Sequence, residues 1–249
     1  MRLTTLMRVF GLVSALFVYH APAIADAQAE VDAAMTSSPS VTVFQKRDFV
    51  GVSLFFGFDP VNPVSDRGLI IYPGGFVDPR SYAPLARHFA DQGIPSAVVT
   101  PPFNFGFLGT HYGTYVKNYW RGEVTDWVVA GHSLGGTVAA LWVDNNRAPS
   151  DGIAALVLLA SYPDATVDLS DITIPVVSIW GSEDGLTTES DIDGSRDQLP
   201  ATTRFVRIDG GNHTQFYYTD TLQNNDNPAL ITRDAQQAIV EQEITSLLN

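Results

Sequence analysis

The sequence predicts an α/β domain in which a mostly parallel sheet carries helices on both faces. Short apolar, β-branched runs alternate with amphipathic segments of helical length, as expected for parallel strands joined by helical crossovers. A strand pattern, a glycine-rich turn and a small-residue helix pattern follow one another directly between residues 124 and 144. Hydrophobic residues make up 45% of the 249 positions, which is enough to bury one core. No repeat or linker divides the chain, so we predict a single domain.

The elements follow in order from local patterns. Alternating residues at the start predict a hairpin, while the later apolar runs are typical of buried parallel strands. The first long helix is amphipathic and is closed by Gly93, and Pro101 and Pro102 end the strand before them. The predicted strands are residues 41–44, 50–56, 68–72, 96–100, 127–130, 153–160, 174–180 and 203–208. The predicted helices are residues 81–92, 134–144 and 231–248.

The most informative motif is Gly131-His132-Ser133-Leu134-Gly135, which lies between a predicted strand and a predicted helix. In that context G-x-S-x-G is the signature of a nucleophile elbow, which exposes the serine hydroxyl above the sheet. A Cβ at either glycine position is expected to clash within so tight a turn. The helix that follows offers free backbone N–H groups to a developing oxyanion. Ser133 is therefore the candidate nucleophile.

A candidate acid and a candidate base follow the elbow in the chain. Asp184 lies just beyond the strand predicted at 174–180, and His213 lies on the loop after the strand predicted at 203–208. A serine hydroxyl needs a base to take its proton, and the base needs an acid to orient it. Glu183 and Asp191 are alternative acids in the same loop. We favour Asp184, because an acid that must reach the histidine should leave the strand end directly.

The order Ser133, Asp184, His213 and the elbow resemble the α/β-hydrolase superfamily. The resemblance covers roughly residues 50–248 and is greatest to small serine hydrolases of the dienelactone-hydrolase-like and carboxylesterase-like kind. It implies the α/β-hydrolase fold without a large cap domain and a Ser-His-Asp acyl-enzyme mechanism. It implies no cofactor and no metal. The superfamily has many activities, so the resemblance identifies the machinery better than the substrate.

A second oxyanion donor is expected after the strand at 68–72. The segment Pro73-Gly74-Gly75-Phe76 resembles the H-G-G-G segment of lipases and esterases, with proline in place of the leading histidine. Gly75 or Phe76 should supply one backbone N–H and Leu134 the other. The alternative is a simple glycine turn between strand and helix.

The N-terminus reads as a secretory signal peptide. Arg2 and Arg8 precede an apolar stretch at residues 9–19, and small residues at 23 and 25 form a cleavage pattern. We predict a signal peptide at 1–25, a flexible lead at 26–40 and the catalytic domain at 41–249, in a secreted or periplasmic protein. The alternative is an uncleaved anchor, although the apolar stretch is short for a membrane span. After cleavage we expect no stable membrane insertion.

The composition of the chain excludes some kinds of covalent link and binding partner. The chain has no cysteine, which excludes disulfides and a cysteine nucleophile. The net charge of −13 disfavours nucleic acid and anionic membranes. An acidic stretch, Glu189 to Gly194, copies half of a calcium-binding loop, but Pro200 stands where the bidentate glutamate belongs, so we interpret it as a solvated loop. The oligomeric state is left open.

Two segments bear on the size and polarity of the substrate. Residues 161–173 join two strands with too few residues for a large helical cap. Residues 103–120 are rich in aromatics that either wall an apolar acyl or aryl pocket, cover the sheet, or fold as a lid. The leading hypothesis is hydrolysis of a small-to-medium ester or lactone, with a small-molecule substrate. The alternatives are acyl transfer, perhydrolysis or a lyase step with the same triad, and a non-catalytic scaffold that binds a ligand or partner.

Overall fold

The computed structural model describes residues 26–249, and an eight-stranded sheet runs through them. Its spatial order is β1-β2-β4-β3-β5-β6-β7-β8. Strands β1 and β2 form the predicted hairpin, β2 also pairs antiparallel with β4, and the remaining pairs are parallel. The predicted mostly parallel sheet is therefore confirmed. The strands are β1 (Val41–Arg47), β2 (Ser53–Pro60), β3 (Arg67–Tyr72), β4 (Ser96–Val99), β5 (Asp126–His132), β6 (Ile153–Leu159), β7 (Val176–Gly181) and β8 (Arg204–Ile208).

Helices cover both faces of this sheet, as predicted. The α-helices of the described chain are α1 (Ala27–Ala34), α2 (Ala83–Asp91), α3 (Tyr112–Tyr119), α4 (Leu134–Asp144), α5 (Glu189–Gly194) and α6 (Arg233–Leu248). Along β5, Val128 and Ala130 face the layer formed by α2 and α6, while Val129 faces α3 and α4. This alternation follows from the two-residue period of a strand and makes each central strand apolar on both sides.

The strand order creates a crevice at the carboxyl ends of β3 and β5. From β3 the chain crosses to β4 on one side, whereas β5 and the strands after it extend the sheet on the other side. Loops that leave adjacent strands in opposite directions open a crevice, and ligands of open α/β sheets bind there. The glycine segment after β3 and the elbow after β5 are therefore adjacent in space.

The N-terminal lead, predicted from the sequence to be flexible over residues 26–40, contains a helix in the structure. Residues 27–34 form α1 instead of a flexible segment, and Asp26 caps this helix by accepting a hydrogen bond from Ala29 N–H at 3.1 Å. Val31 and other apolar residues of α1 are buried, and the Ala27 N–H donates to Asp220 at 2.9 Å. The folded domain thus includes residue 26 onward. The signal peptide predicted at 1–25 lies outside the described residues.

Other boundaries differ by a few residues for local reasons. The helix predicted from residue 81 is preceded by a 3₁₀ turn at Pro79–Tyr82, and α6 begins after Thr232, whose side chain caps it. The acidic stretch expected to be a loop contains α5, because Thr188 and Asp191 form a capping box at its start. Within residues 26–249, no helix is long and apolar enough to cross a membrane.

The connection between β6 and β7 carries no helix, so no large cap covers this side of the crevice. Val167 and Leu169 of this connection are buried, and the Gln198 side chain donates to the carbonyls of Asp164 and Val167. These contacts hold the connection against the body of the domain. No large cap is therefore built from this connection.

Candidate active site

Ser133 occupies a strained turn between β5 and α4. Its backbone has φ 52° and ψ −129°, a conformation that costs a non-glycine residue about 1–3 kcal/mol. Hydrogen bonds to the β6 end and to the segment after it hold it there. The Ser133 N–H donates to the Leu159 carbonyl at 2.9 Å, and the Ser161 hydroxyl donates to the Ser133 carbonyl at 2.6 Å. The strain is thus maintained by the surroundings, as is typical of functional sites.

The two elbow glycines are required by close backbone packing. A Cβ on Gly131 would lie 2.4 Å from the Gly135 carbonyl oxygen. A Cβ on Gly135 would lie 2.3 Å from the carbonyl oxygens of Tyr72 and Pro73, at the end of β3. Glycine at these positions therefore lets the elbow pack directly against the segment predicted to carry the second oxyanion donor.

Asp184 and His213 meet beyond the carboxyl ends of β7 and β8. The distances from His213 Nδ1 to the Asp184 carboxylate oxygens are 2.9 Å and 3.1 Å, and both side chains are buried. Asp184 also accepts hydrogen bonds from the N–H groups of Leu186 and Thr187, at 2.9 Å and 2.7 Å, which fix its orientation. A carboxylate only accepts, so Nδ1 carries the proton and Nε2 of a neutral His213 is left as a base.

The alternative acids are engaged elsewhere. Glu183 accepts a hydrogen bond from its neighbour Ser182 at 2.9 Å. Asp191 accepts from the Thr188 N–H at 2.8 Å as part of the α5 capping box. The structure therefore brings Asp184 to His213 and leaves Glu183 and Asp191 outside the pair.

His213 packs beside the elbow. Its ring centroid lies 4.6 Å from that of His132, the residue immediately before Ser133. His213 Nε2 is buried, and no atom of residues 26–249 is hydrogen-bonded to it. The imidazole therefore presents an unengaged nitrogen next to the nucleophile turn.

The segment after β3 contains one free N–H group. Gly74 N–H donates to the Tyr82 hydroxyl at 2.9 Å, and Phe76 N–H donates to the Asn104 carbonyl at 2.7 Å. Gly75 N–H makes no hydrogen bond within the described chain. The sequence predicted Gly75 or Phe76 as the second oxyanion donor. The prediction for Phe76 is corrected, because its N–H is already bonded to the Asn104 carbonyl.

Gly75 and the start of α4 are in contact. A Cβ on Gly75 would lie 2.9 Å from Leu134 Cδ2. Leu134 is the first residue of α4, so its N–H has no partner inside the helix. Two free N–H groups, from Gly75 and Leu134, thus flank the elbow, which is the arrangement needed to bind an oxyanion.

Sequence reasoning missed Tyr82, which ties this segment to the elbow. Its hydroxyl accepts from Gly74 N–H and lies 2.7 Å from His132 Nδ1. Burial raises the pKa of Tyr82 well above its usual range, so the hydroxyl stays protonated and shares a hydrogen bond with His132 Nδ1. Burial, and next the adjacent His213, hold the pKa of His132 well below its usual value, so that ring stays neutral. A tyrosine at the end of a 3₁₀ turn carries no sequence signal for this role.

Part of the aromatic segment covers the sheet, which was one of its three predicted roles. Tyr112 and Trp120 are buried against the sheet, so that half covers the core. The other half borders the crevice: Phe76 and Phe105 stack at 5.7 Å, and Phe105 contacts Phe107 at 5.8 Å. Phe76 is 76% exposed, although its hydrogen bond to Asn104 joins the glycine segment to this aromatic rim.

Comparisons with known proteins agree with this architecture. Residues 68–238 match the alpha/beta hydrolase family. A dienelactone hydrolase from Anabaena variabilis is similar, with 14% identity and a TM-score of 0.63, over 84% of this chain and 100% of that one. An esterase from Pyrobaculum calidifontis has 15% identity and a TM-score of 0.63, over 89% of both chains.

A carboxylesterase from Bacillus subtilis has 12% identity and a TM-score of 0.60, over 89% of this chain and 96% of that one. No curated protein sequence matches this chain significantly. At these identities the solved structures establish the fold alone, whereas the family match spans well over half of the sequence. The protein therefore belongs to the alpha/beta hydrolase family.

Proposed function

We propose that this protein hydrolyses small-to-medium carboxylic esters or lactones through an acyl-enzyme on Ser133. The observation that carries the proposal is the buried pair of Asp184 and His213, whose imidazole leaves Nε2 unbonded and packs against His132 of the strained serine turn. Several structures with the same fold are described as esterases, and one as a dienelactone hydrolase, which supports ester chemistry.

The chemistry follows from the groups present. Ser133 Oγ attacks the ester carbonyl carbon while its proton passes to His213 Nε2. The carbonyl oxygen becomes an oxyanion and receives hydrogen bonds from Gly75 and Leu134 N–H, each worth about 10²–10³ in kcat. Asp184 stabilises the imidazolium that forms. His213 then protonates the departing alcohol, and water releases the acid by the reverse sequence.

The open crevice and its aromatic rim set the expected substrate size. No helical cap rises between β6 and β7, so little apolar wall is present for a long acyl chain. Each methylene that finds a wall contributes about 0.8 kcal/mol. We therefore expect kcat/KM to be greatest for acyl chains of about two to six carbons. The rim of Phe76, Phe105 and Phe107 supplies the wall that such chains contact.

A panel of p-nitrophenyl esters from C2 to C16 tests this expectation, below and above the micelle concentration. Ser133→Ala in the same assay measures the non-enzymatic background. An optimum at C12 or longer, or a rate increase on micelle formation, would mean that residues 103–120 act as a lid. Absence of activity on every ester and lactone would reject ester hydrolysis itself.

We further propose that the protein is exported with cleavage after Ala25. The charged start, the apolar stretch at 9–19 and the small residues at 23 and 25 support this. Cleavage there leaves Asp26, whose side chain caps α1, as the first residue of the mature chain. N-terminal sequencing of secreted protein should begin at Asp26, and Ala25→Arg should block processing. Protein that keeps Met1 in the membrane fraction would favour an anchor.

A further inference from the structure

Asp226 is a buried carboxylate in the loop between the histidine segment and α6. It is 8% exposed. Its Oδ1 accepts hydrogen bonds from Gly185 N–H at 3.0 Å, His213 N–H at 3.3 Å and Asn227 N–H at 2.9 Å. Its Oδ2 accepts from Thr214 N–H at 2.7 Å and from the Thr214 hydroxyl at 2.6 Å. Five donors thus surround one carboxylate.

The charge of Asp226 is balanced by these donors alone. No arginine, lysine or histidine side chain in residues 26–249 forms a salt bridge with it. A buried carboxylate is costly unless its hydrogen bonds are complete. N–H and O–H groups aimed at an anion fix the backbone they belong to, and the shortest of these contacts, at 2.7 Å and 2.6 Å, come from the N–H and hydroxyl of Thr214. The His213 N–H makes the longest contact, at 3.3 Å, so the histidine loop is held mainly through its neighbour Thr214.

The donors belong to the two loops that carry the candidate acid and base. Gly185 directly follows Asp184, and His213 offers its own backbone N–H to the same Asp226 oxygen. The contact is close, because a Cβ on Gly185 would lie 2.3 Å from the Asn225 carbonyl oxygen. A single oxygen atom thus connects the backbone of the acid loop with the backbone of the histidine.

We propose that Asp226 is a positioning residue that sets the separation of Asp184 and His213. The proposal rests on the proposed function, since it concerns the same acid and base. Asp226 touches neither substrate nor the His213 ring. It acts by holding both loops at the distance that keeps the His213 Nδ1–H on Asp184 and Nε2 free to receive the serine proton. A misplacement of about 1 Å in such a pair costs on the order of 100-fold in rate.

Asp226→Asn is the direct test, because it keeps the shape but turns one acceptor into an NH₂ group that faces N–H donors. We expect kcat to fall about 100-fold while KM changes little. The rate of Ser133 labelling by a phosphonate probe should fall by the same factor. The matched control is Asp220→Asn, an exposed residue in the same loop that bonds Ala27 of α1. That variant should keep wild-type kcat.

Proton NMR of the Nδ1–H of His213 separates positioning from mere bracing of the fold. His213→Ala assigns the signal, and Asp226→Asn should shift or broaden it while Asp220→Asn leaves it in place. A lower melting temperature with kcat within threefold of wild type and an unchanged Nδ1–H signal would overturn the proposal. If wild-type protein hydrolyses no ester, the proposed function fails, and the NMR signal alone decides the role of Asp226.

Thr214 provides a second test should Asp226→Asn fail to fold. Thr214→Val removes the hydroxyl that donates to Asp226 Oδ2, while Thr214→Ser retains it. A fall in kcat and a shifted Nδ1–H signal in Thr214→Val, with recovery of both in Thr214→Ser, support positioning. Equal kcat and equal spectra for the two variants contradict it.

Discussion

The variants Ser133→Ala and His213→Ala should each have a kcat about 10⁴–10⁶-fold below wild type, and the double variant should have a kcat little lower than either single variant. The structure gives the reason. The His213 ring packs against His132 of the elbow with Nε2 unengaged, so we expect this nitrogen to take the serine proton. Without the base the hydroxyl stays a weak nucleophile, and without the hydroxyl the base has no proton to take.

The measurement is a double-mutant cycle in kcat on the best ester of the panel. His88→Ala is the matched histidine control, since His88 lies on α2 and pairs with Glu241, away from the elbow. Circular dichroism should show the same fold for every variant. Losses that multiply in the double variant would show that Ser133 and His213 do not act in one mechanism, and retained activity in Ser133→Ala would remove it as nucleophile.

The elbow was predictable because its motif is local. Gly131, Ser133 and Gly135 lie within five residues, and the clash that demands glycine at 131 comes from the turn itself, whereas the clash at 135 comes from the end of β3. The strands beside it are apolar on both faces, so their pattern is readable without tertiary knowledge. The adjacent placement of Asp184 and His213 follows from parallel strand ends meeting at one edge of the sheet.

The identity of the oxyanion donor and the folded state of the N-terminal lead could not be predicted, because both depend on contacts between positions that are distant in the sequence. Phe76 was excluded as a donor by the carbonyl of Asn104, and Gly74 by the Tyr82 hydroxyl. Neither partner belongs to a motif. An isolated eight-residue helix is marginal in water, so α1 depends on tertiary contacts such as the bond between Ala27 and Asp220. Composition alone therefore indicated a flexible lead where the chain is folded.

Asp184→Asn should lower kcat on the order of 10⁴-fold with the fold intact. The amide can offer its NH₂ to His213 Nδ1, which favours the tautomer that carries the proton on Nε2. A protonated Nε2 cannot accept the serine proton, so the nucleophile is not activated. Loss of the carboxylate also removes the charge that stabilises the imidazolium. The two effects act on the same step, and the phosphonate labelling rate should fall with kcat.

Glu183→Gln and Asp191→Asn are the matched controls, because they lie in the same loop and α5 and each loses one carboxylate. Glu183 bonds Ser182, and Asp191 bonds Thr188, so neither reaches His213. Both variants should keep kcat close to wild type. Asp191→Asn weakens the capping box of α5 and should cost at most about 1 kcal/mol in the free energy of unfolding, measured by urea titration. A larger loss of kcat in either control than in Asp184→Asn would reassign the acid, because the hydrogen bond to His213 would then not be the one that orients the base.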